Sequence, residues 1–411
     1  MRRLLLSIPL LSSVCFGEGL SVEQERAWRA QIRSNFFIAD PLPALDAQTH
    51  RRFEPASGIA AEAVTYTSQF GMRVPAILYL PKPLPKGGKI PGFIVVNGHG
   101  GDKYSWYAFY TGVLYACAGA AVLTFDPAGE GERNKARKSG TRAHDNIKGD
   151  EQLARRLCGL LMSDVMQGVS LLASRPEVDA KRIGAGGYSL GSFVLSLTGA
   201  VETRLRACVL VGGGNLDGPD GYWDNSKPMC QGLPYRSLNF LGDRPAAIYA
   251  LHAARGPTLI FNGLADTVVN MQNTPESFFT DLRARTVKMR GKADGVFATG
   301  FVSGTSHRPY FVTRPVALWL EKQLDLPNWT SASINAMHVT RIGDWAQQHG
   351  VSMDKLYATE EREGGTPALG NDVPGFKRDD LSVFSEAEWQ SRKDQFVIEK
   401  WVEAARAAKS P

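Results

Sequence analysis

The 411-residue chain has little cysteine, no block of like charge and, beyond its first residues, no long apolar run. Each shortage removes a class of protein. Its five cysteines include no C-x-x-C pair and no His/Cys cluster in sequence, so neither zinc nor any other cofactor is expected. After residue 17 no stretch approaches the roughly 20 apolar residues that span a bilayer, so no membrane span is expected. The net charge of +6 is scattered, apart from a short basic run at 133–138. That pattern reads as a solvated surface and not as a nucleic-acid site. Repeats and low-complexity tracts are missing too, which excludes solenoids and arrays. With 43% hydrophobic and 21% charged residues, what remains is one large globular domain plus an extension. Oligomeric state is left open.

The first residues stand apart. Arg2 and Arg3 precede an apolar stretch at 4–11, and small residues follow up to Gly17. This is the pattern of a signal peptide over residues 1–17, and export to a periplasm or the medium is expected. The rest of the chain keeps Cys117, Cys158, Cys208 and Cys230. The first three lie in apolar patterns and read as buried packing residues. An exported protein permits disulfides, but spacing does not pair them.

Residues 18–60 read as an N-terminal helical segment with loops, broken at Pro41 and Pro43. Residues 61–82 alternate apolar and polar positions around Phe70-Gly71 and predict a hairpin. Apolar strands then recur at 93–96, 120–125, 182–188, 206–211, 258–261 and 296–303, separated by helical patterns. Apolar strands alternating with helices predict an α/β fold: a mostly parallel sheet of about eight strands, covered by helices on both faces. This domain spans 61–325. It is interrupted at 212–245 by a Gly-, Pro-, Asp- and Trp-rich segment without a period, a cap-like insertion. Residues 326–411 form a C-terminal extension in which no chemistry is evident.

One stretch organises the rest. Gly187-Tyr188-Ser189-Leu190-Gly191 lies between a strand and a helix, the G-x-S-x-G nucleophile elbow of serine hydrolases. The turn must be tight and strained, and side chains two residues either side of the serine would collide with strand and helix. A serine hydroxyl needs a base, and the base needs an orienting acid. In open α/β sheets such groups sit at strand C-terminal ends. Asp266, in Asn262-Gly263-Leu264-Ala265-Asp266, follows a strand, and His307 lies between the last strand and the last helix. The order Ser, Asp, His is the expected one. Asp266 also fits a plain turn-forming aspartate. Asp164 is an alternative acid in mid-helix. Asp126 is another, better suited to bracing the His99-Gly100-Gly101 loop. An oxyanion hole needs backbone N–H donors; Leu190 and Gly101 are the candidates, with Gly100 next. Gly100, Tyr188 and Trp223 are the candidate substrate contacts. With Tyr222, Trp223 fits stacking on a sugar or aromatic ring as well as packing beneath the insertion.

Together these segments resemble a known group. The elbow GYSLG, the loop HGG, DPAGEGER at 126–133, NGLADTVV at 262–269 and TSH at 305–307 are similar to the α/β-hydrolase superfamily. Within it, the turn 129–133 and the run SRPEVDAKRIG at 174–184 resemble the acetyl xylan esterase-like and dienelactone hydrolase-like branch. The likeness covers about 60–325. It implies a cofactor-free serine esterase with Ser189 as nucleophile, His307 as general base and then acid, and Asp266 as orienting carboxylate. It also implies a small-molecule or polysaccharide ester, such as an acetyl ester, as substrate. A serine in place of the cysteine of dienelactone hydrolases argues against that activity. A peptidase or amidase related to prolyl oligopeptidases is the alternative enzyme, although the large preceding propeller of that group has no room here. A non-catalytic binding protein on the same fold is the third reading.

Overall fold

The structure, a computed structural model, describes residues 19–84, 88–370 and 372–408. The expected signal peptide lies outside the described residues. Nine strands form one sheet: β1 Gln48–Ala56, β2 Ile59–Thr67, β3 Arg73–Pro81, β4 Ile90–Val96, β5 Ala121–Phe125, β6 Val178–Tyr188, β7 Leu205–Val211, β8 Thr258–Gly263 and β9 Ala298–Val302. Their spatial order is β1-β2-β3-β5-β4-β6-β7-β8-β9. The six strands from β5 to β9 run parallel, and β1, β2 and β3 continue the sheet antiparallel. The predicted α/β architecture is therefore present with one strand more than expected. The addition is β1, inside the segment 18–60 that reads as helix and loop. Only its first part is helical, in α1 (Val22–Asn35). As an edge strand, QTHRRFEPA has no fully buried residue and carries no apolar alternation for a pattern to reveal.

Side chains alternate across the sheet. In β4, Ile94 and Val96 join one core while Phe93 and Val95 join the other; in β7, Cys208 and Leu210 oppose Ala207, Val209 and Val211. The first face is covered by α1, α3 (Glu151–Ser174), α4 (Leu190–Val201) and the helix Arg244–Arg255, the second by α2 (Trp106–Cys117) and the helix Arg314–Leu324. By length and composition α3 could cross a membrane, but 83% of its apolar window is buried inside the protein. It is a core helix.

The chain beyond residue 326 packs onto the second face through Trp329, Trp345, Trp389 and Phe396, and returns to the first through Trp401. No disulfide joins the described cysteines; Cys158 and Cys208 are buried as expected, but Cys117 is exposed at the end of α2.

The path of the chain fixes where a site can form. From β4 it passes to β5 on one side, then crosses to β6 on the other. The strand order thus reverses between β4 and β6, where open α/β sheets bind ligands at their carboxyl ends.

Candidate active site

At that reversal β6 runs into α4 through Ser189, whose backbone is strained at φ 56°, ψ −116°. The flanking glycines are required by contact. A Cβ on Gly187 would lie 2.2 Å from the Gly191 carbonyl oxygen, and one on Gly191 would lie 2.1 Å from that of Val96. The elbow is thus wedged against the end of β4. Ser189 sits at the N-terminal end of α4, 8% exposed, on the wall of a cavity of about 890 Å³.

Asp266 and His307 come from the ends of β8 and β9. One carboxylate oxygen of Asp266 accepts the N–H groups of Val268 (2.8 Å) and Val269 (3.3 Å). The other lies 2.5 Å from His307 Nδ1. One side chain thus both closes the turn and contacts the imidazole of His307. Both residues are almost fully buried. His307 also lines the cavity, and its ring packs on Gly212, where a Cβ would come within 2.6 Å. Among the described residues Ser189 Oγ makes no hydrogen bond to His307. Such a contact commonly tightens only when substrate binds.

Other expected contacts need correction. The N–H of Gly101 is bonded to the Gly98 carbonyl (3.0 Å), closing a tight turn, and is not free for an oxyanion. Among the described residues the amides of His99 and Gly100 make no such bond. Gly98 approaches the nucleophile closely: a Cβ there would lie 3.1 Å from Ser189 Cβ. Gly100 lines the cavity. Trp223 is fully buried, stacked on Phe193 at 5.0 Å, and belongs to the core beneath the insertion; Tyr222 is the neighbour that reaches the cavity. Tyr188 lines the cavity but is committed elsewhere. Its ring lies 4.7 Å from that of His307, and its hydroxyl donates to Glu363 Oε1 at 3.0 Å.

Glu363 belongs to the extension, where no chemistry was evident. It also accepts Trp106 Nε1 at 2.6 Å and is nearly fully buried, so desolvation pushes its carboxyl up. Of the alternative acids, Asp164 is paired with Arg133 inside the core. Asp126 braces the loop after β4, accepting Lys103 N (3.2 Å) and Nζ (2.6 Å). Beside that loop, His99, His144, Asp145 and Cys230 bring four metal-ligating atoms within 4.8 Å of one another. Local spacing did not reveal this cluster, because Cys230 stands 131 residues from His99.

Residues 44–211 match the acetyl xylan esterase family (AXE1). The chain has the α/β-hydrolase fold, and its matched stretch is acetyl xylan esterase-like. Among solved structures, the hydrolase is similar to a methylesterase at 17% identity, covering 91% of this chain and 77% of that one with a TM-score of 0.53. A glucuronoyl esterase from Solibacter usitatus shares 14% identity over 74% of this chain and 94% of its own, TM-score 0.50. Acetyl xylan esterase 1 from Thermoanaerobacterium sp. shares 17% identity over 75% and 99%, TM-score 0.48. At these identities the likeness speaks for the fold alone. No curated protein sequence matches the chain.

Proposed function

We propose that the hydrolase cleaves carboxylic esters through an acyl-enzyme on Ser189. His307 Nε2 takes the hydroxyl proton as Oγ attacks the ester carbonyl, then gives it to the leaving alcohol; water repeats the sequence to free the acid. Asp266 holds the imidazole with its proton on Nδ1. The observation that carries this reading is the 2.5 Å Asp266–His307 contact beside a strained serine on one cavity wall. The oxyanion would be met by the N–H of Leu190, at the positive end of α4, and by that of His99.

The substrate we propose is an acetyl ester on a polysaccharide, met outside the cytoplasm after export directed by residues 1–17. The cavity is wide, and its rim carries Tyr222, Asn225, Lys227, Asp354 and Tyr357, groups that suit sugar hydroxyls. A second reading rests on Arg142, which lines the cavity without an acidic partner among the described residues. A guanidinium so placed favours an ester whose sugar carries a carboxyl group. Turnover of acetylated xylan, a uronate methyl ester and an aminoacyl anilide separates the acetyl, uronate and amidase readings. An organophosphonate should label Ser189. Undiminished p-nitrophenyl acetate turnover in Ser189→Ala would overturn the mechanism.

A further inference from the structure

The four-residue cluster beside the active-site loop has an unsatisfied feature that a cation would resolve. His144 is buried, and its Nδ1 lies 3.0 Å from the Ala128 carbonyl, which can only accept. The ring proton therefore sits on Nδ1, and Nε2 presents a lone pair. That atom has no hydrogen-bond partner. It faces Asp145 Oδ1 at 3.5 Å, another acceptor. Two lone pairs turned towards each other in a buried site repel, unless something positive stands between them.

The remaining donors surround the same point. Asp145 Oδ1 lies 3.3 Å from His99 Nε2 and 3.3 Å from Cys230 Sγ, and His99 Nε2 lies 3.2 Å from that sulfur. The two imidazoles are stacked, with centroids 5.3 Å apart and planes inclined by 22°. A tetrahedral zinc ion with Zn–N near 2.0–2.1 Å and Zn–S near 2.3 Å needs ligand-to-ligand edges of roughly 3.3–3.7 Å. Four of the six edges, at 3.2–3.5 Å, are at or near that size, and no edge exceeds 4.8 Å. The His144–Ala128 contact is also the outer hydrogen bond that metal-bound histidines make, fixing the tautomer that leaves Nε2 free.

We propose that His99 Nε2, His144 Nε2, Asp145 Oδ1 and Cys230 Sγ form a four-coordinate site for a borderline-soft divalent cation of the zinc type. The mixed nitrogen, oxygen and sulfur set excludes magnesium and calcium, which take oxygen ligands. On binding, Cys230 gives its thiol proton to solvent, and His99 carries its ring proton on Nδ1. All four ligands are protein groups, so the site is closed and structural. It ties together three segments: the loop after β4 that carries the His99 amide, the loop at 139–146, and the insertion at 212–245. The ion would therefore hold that amide in place beside Ser189.

The test is metal binding by the full purified chain. After chelation and dialysis, Zn²⁺ titration should show one ion per chain at micromolar or tighter affinity. Zinc should also raise the melting temperature. Co²⁺ should give the visible bands of a tetrahedral ion with a thiolate charge-transfer band in the near ultraviolet. Cys230→Ser should abolish that band and weaken zinc binding by at least about tenfold, and His144→Ala should weaken it similarly. A folded wild-type chain that takes up no zinc at micromolar concentration would overturn the proposal. So would bound Co²⁺ without a thiolate band, a reading that does not depend on whether the variants fold.

Discussion

Asp266→Asn tests the proposed mechanism most sharply, because the surroundings of the carboxylate dictate how the amide must sit. One oxygen of Asp266 is held by the N–H groups of Val268 and Val269. An asparagine must keep its carbonyl oxygen there, since its NH₂ group would face two donors. The NH₂ group is then forced to the position now 2.5 Å from His307 Nδ1. A donor there requires Nδ1 to be unprotonated, so the imidazole proton moves to Nε2. The nitrogen that should take the Ser189 proton then already carries one.

The fold should tolerate the change, because both turn hydrogen bonds survive and the volume is unchanged. Catalysis should not. The same exchange in other Ser-His-Asp enzymes lowers kcat by about 10⁴ through this tautomer switch. At 1.36 kcal/mol per decade that is roughly 5.5 kcal/mol of lost transition-state stabilisation. The assay is steady-state hydrolysis of p-nitrophenyl acetate at pH 7.5, with thermal unfolding as the control. We expect kcat to fall by three to four orders of magnitude, with KM within about threefold and the melting temperature within a few degrees. A kcat within about tenfold of wild type, in a folded variant, would refute the assignment of Asp266.

Three further outcomes are expected. Gly191→Ala should destabilise by about 3 kcal/mol or more in urea titration, because its Cβ would stand 2.1 Å from a backbone oxygen of β4. Glu363→Gln replaces an acceptor for two donors, Trp106 and Tyr188, by a group that accepts only through one atom. It should cost about 1–3 kcal/mol of stability and lower kcat by about 10- to 100-fold at unchanged KM, as the Tyr188 ring that backs His307 shifts. His252, far from the site, is buried between Ser196 and Thr258, and burial depresses its pKa from 6.5 to about 3. Its contribution is complete above pH 6.5 and is lost as pH falls towards 3; at pH 5 the loss is about 2 kcal/mol. Urea midpoints at pH 7.5 and pH 5 should differ less in His252→Asn than in wild type.

What could be read from the residues follows the range of the forces involved. The elbow was legible because its glycine spacing answers to a clash within five residues. Asp266 and His307 were legible because the alternation of strands and helices places both segments at strand ends. The ninth strand was not, since β1 is a polar edge whose only warrant is its pairing with β2. Glu363 was invisible for a related reason: its partner Tyr188 lies 175 residues away. Gly101 looked like an oxyanion donor by type, and only the turn bond to Gly98 shows its N–H to be taken. Trp223 was balanced between stacking on a ligand and packing below a loop, and its full burial decides for packing.

The extension illustrates how distant chain becomes part of a site. Lys103, at the end of the loop after β4, is fully buried between Asp126 (2.6 Å) and Glu132 (2.9 Å). Two acids against one lysine leave negative charge inside the protein, which is costly unless further donors reach it. Those donors come from Arg137 and from the extension: Arg137 pairs with Glu132 at 2.7 Å, and Val383 N–H donates to it at 3.0 Å. Trp389 closes the same corner through the Glu132 carbonyl at 2.9 Å. Without residues 383–389 the Glu132 carboxylate would lose donors it cannot replace from the sheet. The loop that leads from β4 past Ser189 would lose its anchor with it. Losing a hydrogen bond to a buried charged group costs about 1.5–3 kcal/mol. The last 80 or so residues thus support the geometry of the site, and among them Glu363 accepts the Tyr188 hydroxyl beside it.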